Sequence, residues 1–443
     1  MNSRRQFLQN LLMGFMPFAL YADLKKESSD KMDIHSHIYR AVNGTPAENM
    51  ARVVELYGGI EKIIGSDDIV ILKPNLQWWN HGATNLEAFM TFVDLIFTRS
   101  GGFKGEVVLA ENVHRGSRPD LSESSWTRSF EWNATDGMHN MTDVVHSLKE
   151  KYKDQFSWVY LIDVRSGAKQ IVGPEEGEGY VYCDGTQGNP RLELHNNHPT
   201  EPRTTLMTYP VFKTDRGTVV DFKNGVWEKG QYTDQPVRFI NFPALNYHGR
   251  YCGMTSCIKN YFGVVDLGGG PDPHTDGKLN EDYFNFHSFS FDDNAQGPVP
   301  GMFGTAVGMF MDTIRKADLN IVTADWVGLA SRTIPPIART RAVLMSDDPV
   351  ALDYHSAKYL LYPNSKINLH DPDDVKGPLH TYLEACGKVC KGEIDEEYVQ
   401  VHSYDLKNNT LQSEDELTII GELKWGRDLK HWLKYFLLRF DLV

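Results

Sequence analysis

Apolar residues in this chain fall into short blocks separated by amphipathic stretches. Residues 68–73 (DIVILK) form an apolar run of strand length bounded by turn residues, and residues 105–110 (GEVVLA) repeat it. Between them, residues 86–97 carry apolar positions at helical spacing. Residues 45–64 do the same, with Pro46 near the start and Gly65 past the end. Strand, helix and strand in succession predict a parallel pair joined by a right-handed crossover.

From 112 to 235 the pattern loosens into Gly, Asn, Pro and charged residues, broken by a helix near 142–152 and a strand at 158–164. A segment of this length predicts a large insertion over one end of the sheet, because long irregular connections within a domain usually serve function. Strand patterns resume at 237–242, 317–323 and 340–345, the last followed by a helix over 349–361. The expected fold class is α/β, a mostly parallel central sheet with flanking helices. A core domain over 45–362 is followed by a C-terminal extension over 363–443. That extension ends in a stretch dense in Trp, Leu and Phe, with Lys430, Lys434 and Arg439 between them. The expected outcome is a terminal helix docked on the domain; the alternative is peripheral contact with an anionic membrane through 425–443.

The N-terminus adds an address. Ser3-Arg4-Arg5-Gln6-Phe7-Leu8 precedes the apolar run 11–20 and the small residue Ala22, the layout of a twin-arginine signal over 1–22, with a polar linker over 23–44. The apolar run is about ten residues, short of the roughly 20 needed to span a bilayer. That export machinery is therefore an expected partner, and the expected location is the periplasm. The route carries folded proteins, which favours an enzyme loaded with a cofactor or metal.

Charge excludes one class. The formal net charge is −14, and removal of residues 1–22 takes away two arginines and no acid, leaving −16. Nucleic acid is not an expected partner, since backbone binding needs clustered Lys and Arg. The five cysteines, at 183, 252, 257, 386 and 390, are an odd number for an exported protein. The pairs 252/257 and 386/390 lack the usual ligand spacings for zinc or an iron–sulfur cluster, so buried thiols or one local disulfide are expected.

Three stretches resemble the domain-of-unknown-function family number 362: VILKPNL at 70–76, GMTSCIKNYFGVVD at 253–266 and AVLMSDDPVALD at 342–353. Residues 318–325 (DLNIVTAD) resemble that family's strand ending in an acid. The likeness spans about 45–115 and 237–362. Relatives often carry a ferredoxin-like segment with cysteine-rich cluster motifs, which implies redox chemistry, but no such segment occurs here. The family usually has a lysine two residues before its histidine; Asn246 stands there, before His248.

In parallel sheets ligands bind beyond the carboxyl ends of the strands. Lys73, Asn75, Glu111, His248 and Asp325 all follow apolar runs and are expected to converge at one rim. Lys259 and Asn260 follow Thr255 and Ser256 in a glycine-bounded segment whose amides could cradle an anion, with Lys259 as counter-charge. The expected catalytic groups are His248 as acid/base, Lys259 as the holder of an anionic group and Asp325 as the orienter of a base or a metal ligand; Lys73, Asn75, Glu111, Thr255 and Asn260 would bind substrate. Asp348 before Pro349 reads as a helix N-cap, and Asp353 as the partner of a neighbouring base. Asp266, His274 and His287, in and beyond the glycine-rich loop DLGGGPDPHTDG at 266–277, are the candidate metal ligands. No His-Glu-x-x-His helix and no Gly-x-Ser-x-Gly elbow is present, which disfavours zincin and α/β-hydrolase chemistry. The sequence therefore reads as an exported metal- or cofactor-dependent enzyme, with oxidoreductase the leading class, acting on a small anionic molecule. A lyase or isomerase working beside a carboxylate, or a non-catalytic periplasmic binder, would use the same groups.

Overall fold

The computed structural model describes residues 33–113, 125–196, 202–249, 252–268, 277–290 and 300–442. The signal over 1–22 and His274 lie outside them.

The core is a twelve-stranded sheet. Its strands are β1 (Ser36–Val42), β2 (Ile69–Pro74), β3 (Glu106–Asn112), β4 (Phe156–Leu161), β5 (Val237–Phe242), β6 (Ala244–Tyr247), β7 (Met254–Thr255), β8 (Leu319–Gly328), β9 (Ile337–Ser346), β10 (Val399–Asp405), β11 (Thr410–Leu411) and β12 (Glu422–Lys424). The order is β11-β10-β1-β9-β8-β5-β2-β3-β4, with β6 beside β8, β7 beside β6 and β12 beside β9. From β8 to β4 all pairs are parallel, and β9 runs against both its neighbours. The fold is α/β with a mostly parallel sheet, as the block pattern predicts.

Both faces of the parallel part are covered, which is why its strands are apolar throughout. Val70 and Leu72 face one apolar cluster, together with Phe89, Phe92 and Val93 of helix α2 (Leu86–Phe97). Ile69 and Ile71 face the other. Helix α1 (Pro46–Tyr57) opens on a Thr45–Glu48 capping box and stops at Gly58, which takes a left-handed φ of 114°. The predicted helix over 45–64 is thus cut by its own glycines, and a separate turn covers Ile60–Ile63. Helix α3 (Met141–Tyr152) leads into β4 at the sheet edge.

The expected insertion differs in form. Part of it, α3 and β4, belongs to the main sheet. The rest builds a second, six-stranded sheet from segments between Gln170–Ile171 and Gln231–Tyr232. Val181, Tyr209, Val211, Val220 and Phe222 of that sheet share one apolar cluster with Ile71, Val108 and Phe239. It therefore lies against a face of the main sheet, because its own inner surface is apolar and needs a partner.

Further helices are α4 (Cys257–Asn260), α5 (Pro300–Thr313), α6 (Pro349–Ser356), which runs on through a π-helical turn over Ala357–Leu361 and a last turn over Tyr362–Ser365, and α7 (Pro378–Cys390), before the terminal α8 (Leu429–Arg439). Asp348 caps α6 by accepting from the Val350 and Ala351 amides, as its place before Pro349 predicts. No helix among the described residues is long and apolar enough to cross a membrane. All five cysteines are buried free thiols, and Cys386 and Cys390 bring their Sγ atoms to 3.9 Å.

Candidate functional site

Beyond the carboxyl ends of β2 and β3, Lys73, Asn75, Glu111, Thr255, Lys259 and Asn260 line one narrow cavity with Gln77, Asn112, Phe262 and Gly263. The space between them admits about one water molecule, roughly 10 Å³. Six of the residues expected to gather at this rim do so. They come from three separated parts of the chain, delivered by β2, by β3 and by the β7–α4 segment.

Lys73 is fully satisfied. Its Nζ donates to Glu111 Oε2, to Asn260 Oδ1 at 2.9 Å and to the Pro74 carbonyl at 3.0 Å. Burial pushes the Glu111 carboxyl up to about 7 although Lys73 opposes it, and burial pulls the Lys73 amine down. Asn260 in turn donates to the Lys73 carbonyl at 3.1 Å and to Asn241 Oδ1 at 2.8 Å. Asn241 continues to the Cys257 carbonyl and to Asn320 Oδ1, both at 2.9 Å. A line of buried amides thus ties α4 to β5 and β8. Asn241 stands between the apolar residues Ile240 and Phe242 near the end of the strand, and that polar residue was the sequence signal for this network.

Gly263 marks the closest approach. A Cβ built on it would fall onto Glu111 Oε1 and onto Nζ and Cε of Lys73, so only glycine lets the turn after α4 close over the ion pair.

Lys259 is different. Its Nζ is buried, sits 3.7 Å from the centre of the Phe262 ring and 5.1 Å from that of Phe303, and has no hydrogen-bond partner among the described residues. Burial, with the nearby Arg332 guanidinium, lowers its pKa to about 7. A buried amine without an acceptor is costly unless a ligand supplies one.

The amides of α4 do not form the expected anion cradle. The Cys257 and Ile258 N–H groups donate to the two oxygens of Asp353, at 2.8 and 3.0 Å. The chain thus carries its own carboxylate at that helix start. Asp353, expected to pair with a base, instead fixes the segment that presents Lys259.

His248 lies at the end of β6, one strand over. Its Nε2 is 3.1 Å from Arg332 Nη1. Because a guanidinium only donates, this nitrogen accepts and the ring proton sits on Nδ1. Burial, then Arg332, Lys259 and His287, hold the ring well below its ordinary pKa, so it is neutral. Arg332 also lies 4.2 Å over the Trp78 ring. It comes from the turn after β8, where no strand pattern marks it. Asn246, in the place of the family's lysine, accepts from the Gly328 amide at 3.1 Å.

Residues 224–358 match the family model described as a domain of unknown function, DUF362. The DUF362 match takes in Lys259, Asn260, Gly263, Arg332 and Asp353, whereas Lys73 and Glu111 stand outside it. No curated protein and no solved structure matches the chain.

The remaining expected site residues are placed elsewhere. Asp325 is not the end of its strand: β8 continues to Gly328 across an irregularity between Ala324 and Trp326. Its carboxylate lies 3.6 Å from Arg339 Nε, and its charge is felt by Glu87 of α2, so it does not line the cavity. Asp266 accepts from the Tyr182 hydroxyl at 2.6 Å, the Gly268 amide at 3.0 Å and the Val164 amide at 3.2 Å, which fastens the second sheet. His287 packs edge-on against Phe262 and Phe303. Among the described residues no three His, Cys, Asp or Glu side chains group to hold a metal ion, so the cysteines there do not fit an iron–sulfur cluster.

Proposed function

We propose that the protein is an exported enzyme acting on a small anionic molecule that places one oxygen in the water-sized Lys259 cavity. One observation carries this reading: the Lys259 amine is buried at the cavity against the Phe262 ring with no hydrogen-bond acceptor among the described residues, whereas Lys73, the other amine lining the cavity, has three. An oxyanion entering there would supply the missing acceptor. Arg332, half-buried beside His248, adds positive potential to the same region.

Among the reaction classes open to such a site, proton transfer beside a carboxylate has support from the residues themselves. An amine near pKa 7 and a carboxyl near pKa 7 face one cavity, and both groups exchange protons near neutral pH. The bound anion would be fixed by protonated Lys259, and Glu111, held by Lys73, would take or return the proton. The oxidoreductase reading rests on the export signal and on the redox segments of related chains. His248, expected as acid/base, offers Nε2 to Arg332 and thereby orients that guanidinium.

Calorimetric titration of the whole protein with sulfate and with acetate tests the reading. Saturable binding that disappears in Lys259→Met supports it; equal binding by the variant overturns it. An absorbance spectrum and elemental analysis of protein exported in its native host separate the redox class from the proton-transfer class.

A further inference from the structure

The terminal helix α8 is held to the domain mainly through Tyr435, whose buried hydroxyl donates to the Ser365 carbonyl at 3.1 Å. Its apolar face is left uncovered. Leu429 is 80 % exposed, Leu433 57 %, Phe436 38 % and Phe440 63 %, and Leu442 just beyond is 67 % exposed. The first four are spaced four, three and four residues apart, so they form one stripe along the helix. Trp425, 36 % exposed, lies parallel to Phe436 with ring centres 6.1 Å apart and widens the stripe. Docked terminal helices bury such a face, and contiguous exposed apolar surface marks an interaction site.

Charge identifies the partner. Arg427, Lys430, Lys434 and Arg439 are exposed along the same stretch, and Asp428, the helix N-cap, is the only acid from 427 to 440. This local cationic surface belongs to a chain of net charge −14. Leu and Phe on one side, cations beside them and a Trp at the edge are what an anionic bilayer surface takes up: the apolar stripe enters the acyl boundary while the cations meet lipid phosphates.

We propose that α8 docks the protein onto an anionic membrane surface. The contact would lie near the candidate site, since the Lys434 Nζ sits 5.2 Å from the centre of the Tyr247 ring, next to His248. The proposal stands independently of the anion site.

Vesicle flotation of the whole protein tests it, using phosphatidylcholine vesicles with and without about 30 % phosphatidylglycerol. Parent and variants share the same N-terminus, so any contribution of the apolar run at 11–20 cancels in the comparison. Leu433→Asp with Phe440→Asp should lower binding to the anionic vesicles at least about tenfold, and Lys430→Glu with Arg439→Glu should remove the preference for them over neutral vesicles. These positions are exposed, so the melting temperature should not change. Undiminished flotation of the double-Asp variant overturns the proposal. So does a concentration-dependent dimer that does not float and that the same variant dissociates, since a second copy would then cover the stripe.

Discussion

Lys73 and Lys259 line one cavity, and their amines are treated in opposite ways. Lys73 donates to a carboxylate, an amide oxygen and a backbone carbonyl; Lys259 meets the face of Phe262 and no acceptor among the described residues. The first is already paired and holds Glu111 at the wall. The second is a charge that a ligand would complete. Gly263 and Asp353 keep them in register, one by letting the chain approach the ion pair and the other by anchoring α4.

Replacing Lys259 by Met removes an amine that the fold does not need. Stability should hold or rise by about 1–3 kcal/mol, because a buried donor without an acceptor is deleted. Sulfate binding should vanish. Urea unfolding and calorimetry together check this, and a large loss of stability would show that the amine has a structural partner.

The pH response follows from the same group. Its folded pKa is about 7 against an ordinary value of 10.5. Between these values the unfolded chain holds one proton more, so this amine makes stability rise with pH across that window, with its full penalty present below about pH 7. Anion affinity runs the other way: sulfate should bind best below about pH 7 and weaken about tenfold per unit above it. Titration in buffers of different ionisation enthalpy should show proton uptake on binding above that pH. Lys259→Met should abolish its share of the stability slope.

The Lys73–Glu111 pair should be costly to break from one side. Lys73→Met leaves a buried carboxyl with its main partner gone and should destabilise by about 3–5 kcal/mol, while Lys73→Met with Glu111→Leu should recover much of that. Urea unfolding of the three proteins measures the coupling; additive losses would mean that the two side chains do not act as a pair.

Gly263→Ala places a methyl group where the ion pair lies. A loss of about 1–3 kcal/mol is expected, as for overpacking of a filled core, with weaker sulfate binding as the turn is pushed outward. Unchanged melting and binding would contradict the close approach.

Asp353→Asn keeps the size of the side chain but replaces one of two accepting oxygens with a donor that would face an N–H. Stability should fall by about 1–3 kcal/mol, and anion affinity should fall with it because α4 carries Lys259. A variant that loses stability yet binds sulfate normally would mean that Lys259 is positioned by other contacts.

The periodicity of the chain determined the elements. Residues 86–97 and 237–242 are helix and strand where their spacing predicts them, because a strand covered on both faces must be apolar throughout and a surface helix must be amphipathic. The polar ends of β2 and β3 were legible for the same reason: Lys73 and Glu111 directly follow such runs. Asp325 misled, since a strand can pass through a bulge and continue, and local sequence does not say whether its partner follows it. Asp353 misled in another way, because the amides it caps lie 96 residues away in the chain.

What the sequence by itself determined is therefore the α/β class, the strands and helices between residues 45 and 112, and most of the polar groups available at the sheet's rim; it missed β1 in the expected linker and β10 to β12 in the expected extension, which join the main sheet only through distant partners. Only the tertiary structure decided which of them share a cavity, that Lys73 is paired and Lys259 is not, and that the terminal helix keeps its apolar stripe in solvent. Periodicity records how one segment meets the core, whereas pairing and exposure depend on which distant segments arrive beside it, and that information resides in packing between elements.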